Sequence, residues 1–139
     1  MTVITEFAND AHRLAVVELW KNLLSYPTPH NEPGLAIEQK LAAADGLFFV
    51  ALHEGALAGT IMAGYDGHRG WLYSLAVQPG LQRKGIGAAL VAHAEQALTT
   101  RGCLKVNLQI VTSNQAVQGF YERLGYVVEP RISMGKLLY

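Results

Sequence analysis

The sequence predicts an α/β domain, and two observations carry this prediction. Segments with helical periodicity alternate with strand-like apolar segments along the chain, a pattern typical of α/β proteins. The chain has 139 residues, of which 50% are hydrophobic, so it is the size of one ordinary domain and has enough apolar surface for a core. We therefore expect a single domain over residues 1–139.

The N-terminal part is expected to form an edge strand and two helices. Thr2–Phe7 is typical of an edge strand, and Asp10 can cap a helix that ends near Tyr26. A proline-rich connection leads to a second, short helix, which Asp45-Gly46 closes. The apolar residues expected to face inward from these two helices are Leu14, Val17, Leu23, Leu24, Ile37 and Leu41.

Three consecutive strands are expected in the middle of the chain. Leu47–Leu52, Leu57–Tyr65 and Trp71–Val77 are apolar runs separated by two turn-forming segments. The turns are residues 53–56 and residues 66–70, and both contain glycine.

The stretch Gln82–Gly87 predicts an anion-binding loop at the start of a long helix. Backbone N–H groups at a helix start lack intrahelical partners, glycines let a ligand approach closely, and the helix dipole favours negative charge. Arg83 and Lys84 add positive charge beside the loop. The helix is expected to run to about Thr100 and to end at Gly102. Its predicted buried residues are Ile86, Leu90, Val91, Ala94 and Leu98.

The remaining chain is expected to form a strand, a helix and two short strands. Leu104–Val111 is the predicted strand, and Ser113 or Asn114 caps a helix through Leu124 that Gly125 ends. The two final strands are expected near Tyr126 to Val128 and Ile132 to Leu138.

The composition limits which binding partners and which cellular compartment we expect. Eleven acidic and eleven basic residues balance, so no overall field recruits nucleic acid or an anionic membrane. The single cysteine, Cys103, is typical of a reducing compartment, and no Cys/His spacing predicts a metal site. No apolar run approaches the ~20 residues that a membrane helix needs, so we expect a cytoplasmic protein.

The loop and two further segments resemble those of the GNAT N-acetyltransferases. Gln82–Gly87 has the [Gln/Arg]-x-x-Gly-x-[Gly/Ala] spacing of that family's acetyl-CoA loop, and Leu75–Pro79 is similar to its fourth strand. Asn114–Ala116 and Phe120–Tyr126 are similar to its second characteristic segment. The order of elements also matches, and residues 64–70 are most similar to the small bacterial YpeA-type subgroup, as are residues 31–33 and 133–136.

This resemblance implies a fold and a cofactor. The fold would be a mixed, mostly antiparallel sheet of about six to seven strands, splayed between strands 4 and 5 and flanked by about four helices. Acetyl-CoA would be the acetyl donor, with no metal. Its diphosphate would lie on the backbone of the loop residues Gln82, Arg83, Lys84, Gly85, Ile86 and Gly87. Its pantetheine arm would pair with the fourth strand near Leu75, Ala76 and Val77.

The resemblance also implies a general acid. It places the Tyr121 hydroxyl near the CoA sulfur, where a phenol with a pKa near ~10 can protonate the departing thiolate. Periodicity alone favours a different role, a core stripe of Phe120, Tyr121, Leu124 and Tyr126. Asn114 is a candidate both for the helix N-cap and for a hydrogen bond to the CoA arm.

The general base is left open by the sequence. Some relatives carry a glutamate five residues before the asparagine, but this chain has Gln109, which cannot accept a proton as a base does. The base candidates are Glu32 and His68, followed by His30 and Asp66, all in predicted loops. A water relay to solvent is an alternative. Strand alternation puts Asn107 on the same face as Gln109, and we expect this pair to face the acceptor, with Tyr26 and Tyr65 as candidate pocket residues.

The resulting interpretation is an enzyme that transfers acetyl from acetyl-CoA to a primary amine by direct attack in a ternary complex. The acceptor is a small-molecule amine or a protein amine, either a lysine side chain or an N-terminus. A non-catalytic acyl-CoA-binding sensor or interaction module of the same fold is the alternative. Exposed edges of a small mixed sheet are compatible with a homodimer.

Overall fold

The computed structural model describes residues 1–24 and 28–139 of the chain. These residues form two compact units, residues 1–109 and residues 110–139. The helices and strands of the first unit are β1 (Thr2–Glu6), α1 (Asn9–Leu23), α2 (Pro33–Ala43), β2 (Phe48–His53), β3 (Ala56–Tyr65), β4 (Gly70–Val77), α3 (Ile86–Thr100) and β5 (Val106–Leu108). The second unit contains α4 (Gln115–Arg123).

The first unit is built on one mixed sheet. Its strands lie in the order β1-β2-β3-β4-β5, so β1 is an edge strand as predicted. The pairs from β1 to β4 are antiparallel and follow each other along the chain, whereas β5 runs parallel to β4. The α/β fold and the four helices are therefore confirmed, but the sheet in the described part of the chain has five strands instead of about six to seven.

The C-terminal part departs from the predicted strand pattern. β5 covers only Val106–Leu108 instead of Leu104–Val111, and residues 126–128 and 132–138 form irregular structure instead of two strands. A strand exists only where a neighbour completes its hydrogen-bond ladder, and β5 finds one along Gly70–Leu72. The prediction of two final strands is therefore wrong, and the side chains of these residues are largely exposed, as at Ile132, which is 92% exposed.

The buried faces of α1 and α2 differ in part from the predicted ones. Val16, Leu19 and Trp20 are buried on α1, whereas Leu14 lies on the opposite side and is 87% exposed. Ile37 of α2 is fully buried as predicted, but Leu41 is exposed. Ala8 takes the N-cap position of α1, and the predicted cap, Asp10, lies in the first turn, where its charge still favours the helix dipole. The sequence therefore predicted only in part which residues of α1 and α2 face inward.

Lys40 takes the inward position on α2 that was expected for Leu41. Its ammonium donates to Asp45 Oδ2 at 2.8 Å, to the hydroxyl of Tyr73 at 3.1 Å and to the backbone carbonyl of Ala63. The side chain is buried, and the three acceptors replace the water that its ammonium loses.

One core cluster of the first unit lies between α1, α2 and the sheet. Phe48 of β2 stacks on Phe7 with ring centroids 4.2 Å apart, and Trp20 packs on the same ring at 5.6 Å. The other core residues are Val16, Leu19, Ile37, Val50, Met62 and Ala76. No helix among residues 1–24 and 28–139 is both long and apolar enough to cross a membrane.

Helix α3 agrees closely with its prediction. Its buried residues are the five that periodicity selects, from Ile86 to Leu98, and Gly102 follows its end with a left-handed φ of 87°. The helix packs against β3, where Gly59 allows close approach. A Cβ at this position would lie 2.7 Å from the carbonyl oxygen of Ala76 and 3.1 Å from Leu90 Cδ1. Gly59 therefore fixes how closely β3, β4 and α3 pack.

Candidate functional site

The loop that follows β4 is anchored to the sheet at its start. The N–H of Gln78 donates to the carbonyl of Ala58 at 2.8 Å, and a 3₁₀ turn over Pro79–Leu81 follows. Gln82 then donates its side-chain amide to the carbonyl of Val77 at 3.2 Å. This bond ties the loop back to the end of β4, so the path from strand to helix is fixed by backbone and side-chain contacts together.

The second half of the loop presents backbone to solvent at the start of α3. Arg83 and Gly85 both adopt left-handed φ values, 64° and 81°, and residues 82–85 are exposed. Gly85 is the N-cap and has no side-chain cap, and its carbonyl accepts the N–H of Ala89 at 3.0 Å. The N–H groups of the first turn precede that bond, so they point out of the helix start and can bind an anion.

Strand β4 is longer than its partner β5. The parallel ladder joins Gly70, Trp71 and Leu72 to β5, whereas β4 continues to Val77. The ladder with the fifth strand therefore covers only the first part of β4, and the predicted splay between the two strands stays a prediction. The predicted cofactor-binding residues Leu75, Ala76 and Val77 all lie in the part of β4 beyond the ladder, where backbone groups on that side can pair with an extended ligand.

A β-bulge interrupts the pairing of β4 with β3. Met62 pairs with Tyr73 and Thr60 with Ala76, so β4 holds one extra residue there, and Ser74 has a φ of 55°. No local signal in the sequence indicates this bulge, because no glycine marks it and its supporting residues, Thr60 and Trp20, have the pattern of ordinary core residues.

The second unit contains the remaining predicted cofactor residues. Asn114 is the N-cap of α4, and its side-chain oxygen accepts the N–H of Val117 at 3.3 Å. This confirms the capping role that the sequence allowed. Because the cap uses the oxygen, the amide NH₂ group still has protons to donate.

Tyr121 is the buried residue of α4. Its ring makes edge contacts with Phe120 and Tyr126, with centroids 5.0 and 5.5 Å apart. Burial raises the pKa of the Tyr121 phenol from 10.0 to about 12, because the charged phenolate loses solvation. The hydroxyl therefore keeps its proton throughout the neutral and mildly alkaline range.

Glu32, one of the two predicted bases, has a structural role. It is the N-cap of α2, and its carboxylate accepts the N–H of Leu35 at 2.7 Å and that of Gly34 at 3.1 Å. These two bonds, Leu35 first, hold the pKa of Glu32 below its usual value. A carboxylate held in this way is a weaker base than an ordinary glutamate.

We expect Glu32→Gln to lower the melting temperature slightly at pH 7, because glutamine loses the charged cap. The folded-state pKa of Glu32 is lowered, so its stabilisation is present above the unfolded value of 4.5 and is lost as pH falls through the folded value. Thermal unfolding at a series of pH values should therefore show the gap between wild type and variant closing below pH 4.5. A gap that stays constant down to pH 2 would contradict the capping role.

His68, the other predicted base, lies in the turn between β3 and β4. The Asp66 carboxylate accepts the N–H of Arg69 at 2.7 Å and that of His68 at 2.8 Å, and these bonds lower the pKa of Asp66. This turn precedes β4, whereas Gln82 follows its other end, roughly 20 Å away along the strand. His68 and Asp66 are thus at the end of β4 that is remote from the loop.

Tyr65 lies at the same hairpin end as His68. Its hydroxyl is 3.3 Å from the carbonyl of Gly67 and 3.4 Å from that of Gly102, in contacts that fix the hairpin. Tyr26, the other predicted pocket aromatic, lies outside the described residues. Its assignment and that of Tyr65 to the acceptor pocket stay predictions.

The polar pair predicted on the fifth strand is only partly within it. Asn107 is half-buried in β5, opposite Trp71, whereas Gln109 is exposed and follows the end of the strand. His30, the fourth base candidate, lies in a 3₁₀ turn over Pro29–Asn31.

Comparison with known sequences identifies one family. The sequence profile of the Acetyltransferase (GNAT) family matches residues 13–126. An acetyltransferase of Yersinia enterocolitica is 42% identical over 123 residues, which cover 88% of this chain and 86% of that protein. An acetyltransferase of Pectobacterium atrosepticum is 42% identical over 124 residues, covering 89% and 87% respectively.

Solved structures of the same architecture include enzymes with different acceptors. An aminoglycoside N-acetyltransferase in complex with CoA has a TM-score of 0.80 and 21% identity, covering 100% of this chain and 96% of that one. The ribosomal-protein-S18-alanine N-acetyltransferase of Escherichia coli has a TM-score of 0.71 and 26% identity, and the match covers 90% of this chain and 77% of that one.

Proposed function

Since this chain belongs to the GNAT family of acetyl-CoA-dependent acetyltransferases, we propose that it transfers acetyl to a primary amine by direct attack within a ternary complex. The observation that carries this proposal is the exposed loop Gln82–Gly87 at the start of α3, directly after the part of β4 that β5 leaves unpaired. A strand with one unpaired side, followed directly by a backbone anion site, suits a ligand with an extended amide arm and a diphosphate.

We propose that the loop backbone holds the diphosphate of acetyl-CoA and that Leu75, Ala76 and Val77 pair with its pantetheine arm. Each contact between a charge and a helix end contributes ~0.3–1 kcal/mol, so affinity has to come from several N–H groups together. Arg83 and Lys84 are exposed, and either one alone adds little. The amide NH₂ of Asn114 is assigned as a further donor to the arm.

The proposed chemistry is a direct acyl transfer. The lone pair of the neutral amine attacks the thioester carbonyl carbon, a C–N bond forms, and backbone donors of β4 stabilise the negative charge on the oxygen. The C–S bond then breaks, and the thiolate takes the proton of Tyr121. The amine nitrogen loses its own proton through water to solvent, and the phenolate regains one. Glu32 and His68 stay candidates for assisting the loss of the amine proton.

Cys103 supports direct attack over a route through an acyl-cysteine. Its side chain is buried, and the thiol donates to the carbonyl of Lys105 at 3.3 Å. An acyl-cysteine mechanism needs an accessible thiolate beside a cationic group or a helix N-terminus, and Cys103 follows the C-terminal end of α3.

The acceptor is proposed only as a class, a small-molecule amine or a protein amine. Solved relatives of this fold act on an aminoglycoside in one case and on a protein alanine in another, so the fold does not select between them. Asn107 and Gln109 are the proposed acceptor contacts.

The balanced net charge supports a partner other than nucleic acid or membrane, and the single cysteine supports a cytoplasmic location. Sheet edges support a homodimer as the assembly.

A second candidate function is an acyl-CoA sensor without turnover. The observation that favours it is Gln109, which takes the place of a carboxylate and cannot act as a base. A sensor would bind acetyl-CoA and CoA through the same loop but would not need Tyr121.

The experiment that separates the two functions is an amine panel assayed for acetyl-CoA-dependent thiol release. The panel contains a polyamine, an aminoglycoside, a lysine peptide and a peptide with a free N-terminal alanine, with CoA binding measured by calorimetry in parallel. We expect thiol release above the no-acceptor rate with at least one class. Binding of acetyl-CoA without release in any class would favour the sensor, and absence of CoA binding would overturn both functions.

A further inference from the structure

We infer that Thr60 and Trp20 are positioning residues that hold the peptide group between Ser74 and Leu75, so that the Leu75 N–H binds the thioester carbonyl oxygen. The inference rests on the proposed acetyl transfer and adds to it two residues that touch neither substrate. It also identifies which backbone donor of β4 meets the developing negative charge.

The bulge in β4 is the feature that needs support. One extra residue lies between the pairs Met62–Tyr73 and Thr60–Ala76, and Ser74 has a left-handed φ of 55°. A serine rarely adopts this conformation unless surrounding contacts determine it. The bulge therefore depends on groups outside β4 to keep its geometry.

Those groups form a buried hydrogen-bond chain. The indole N–H of Trp20 donates to Thr60 Oγ1 at 2.9 Å, and this hydroxyl lies 2.9 Å from the carbonyl oxygen of Ser74. An indole N–H can only donate, so the hydroxyl accepts from Trp20 and its single proton goes to Ser74. Thr60 has no exposed surface and Trp20 is 3% exposed, so water does not substitute for either bond.

Holding the Ser74 carbonyl also fixes the next N–H. A trans peptide group is planar, and its C=O and N–H point in opposite directions. Because the Ser74 carbonyl points toward the Thr60 hydroxyl, the Leu75 N–H points away from that hydroxyl. On that side of β4 the ladder with β5 has already ended at Leu72. A backbone donor fixed in this direction before substrate binds is suited to stabilise an oxyanion.

The test compares Thr60→Val, which removes the hydroxyl but keeps the shape, with Thr60→Ser, which keeps the hydroxyl. Removing a whole oxyanion donor costs about 100-fold or more in kcat, and a misaligned donor costs less, so Thr60→Val is expected to lower kcat by about tenfold. Thr60→Ser should restore most of it, and the dissociation constant for CoA should be unchanged in both. Thr5→Val on β1 is the matched control and should behave as wild type.

A second readout does not depend on turnover. The NMR shift of the Leu75 amide proton is expected to differ between the acetyl-CoA and CoA complexes in wild type and in Thr60→Ser. The difference should be clearly smaller in Thr60→Val. If wild type releases no thiol with any amine, the proposed acetyl transfer is refuted. The difference in the Leu75 amide shift between the acetyl-CoA and CoA complexes still decides whether the Leu75 N–H binds the thioester carbonyl.

Two results would overturn the inference. One is a kcat for Thr60→Val within twofold of that for Thr60→Ser on a true acceptor, and the other is a Leu75 shift difference that is the same in both variants. If Thr60→Val does not fold, Trp20→Phe replaces it, since this change removes the indole donor and keeps Thr60. An unchanged kcat and an unchanged Leu75 shift difference in Trp20→Phe would then overturn the inference.

Discussion

Replacement of Tyr121 by phenylalanine is expected to lower kcat by about 100-fold or more while leaving the dissociation constant for CoA within about twofold. The hydroxyl is the proposed proton donor to the leaving thiolate, and its loss should affect the chemical step more than binding. The variant keeps the buried ring and its edge contacts with Phe120 and Tyr126. Steady-state kinetics with the best acceptor from the amine panel, together with calorimetry, measure the two quantities.

The matched control for this variant is Tyr126→Phe. Tyr126 is the neighbouring phenol, partly buried and 5.5 Å from the Tyr121 ring, so its variant loses a hydroxyl of the same kind. Only Tyr121→Phe should show the fall in kcat. Equal rates for Tyr121→Phe and wild type on a true acceptor would refute the assignment of the acid.

The raised pKa of Tyr121 has consequences for pH dependence. With a folded-state pKa of about 12, the phenol stays protonated, so this residue should cause no alkaline fall in kcat below about pH 10. The folded value lies above the unfolded value of 10.0, so the stabilising effect of the neutral phenol is present below pH 10 and is lost as pH rises toward 12. When pH rises from 10 to 12, the free energy of unfolding should therefore fall less for Tyr121→Phe than for wild type, because phenylalanine does not ionise.

Gly59→Ala is expected to destabilise the fold by about 1–3 kcal/mol and to weaken CoA binding at the same time. The added Cβ would lie 2.7 Å from the Ala76 carbonyl, and a backbone atom cannot move aside as a flexible side chain does. Relief requires β4 to shift away from β3, which displaces the strand end at Val77 and the loop that follows. Chemical denaturation and CoA calorimetry measure the two effects.

Gly80→Ala is the control for Gly59→Ala, because a Cβ at Gly80 would meet no atom within 4 Å and its φ lies outside the left-handed region. It should unfold at nearly the same denaturant concentration as wild type, although it lies closer to the loop. If the two variants had the same stability, the close packing at Gly59 would not be what sets the spacing of β3, β4 and α3.

The elements with strong periodicity or glycine punctuation were predictable from the sequence. All five buried residues of α3 follow from a 3.6-residue repeat, and Gly85 and Gly102 mark its two ends. Local interactions determine these features. The loop at Gln82–Gly87 belongs to the same group, because its glycine spacing is visible without any tertiary contact.

The features that escaped prediction depend on contacts between distant parts of the chain. Lys40 is buried because Asp45, Ala63 and Tyr73 supply hydrogen-bond acceptors, and no local sequence pattern indicates that these residues contact Lys40. The bulge at Ser74 depends on Thr60, 14 residues earlier, through a side-chain bond. The length of β5 likewise depends on its partner strand, which apolar alternation within one segment does not specify.

The buried position of Lys40 removes one lysine from the set of the enzyme's own amines that the enzyme can modify. An amine accepts an acetyl group only after it loses a proton and exposes its lone pair to the thioester. The Lys40 nitrogen is buried and donates hydrogen bonds to a carboxylate, a carbonyl and a phenol, so it is not accessible to the thioester. Lys84, by contrast, is exposed within the loop. Loss of its positive charge by acetylation would weaken cofactor binding at the proposed diphosphate site, whereas burial protects Lys40, the lysine that supports the fold.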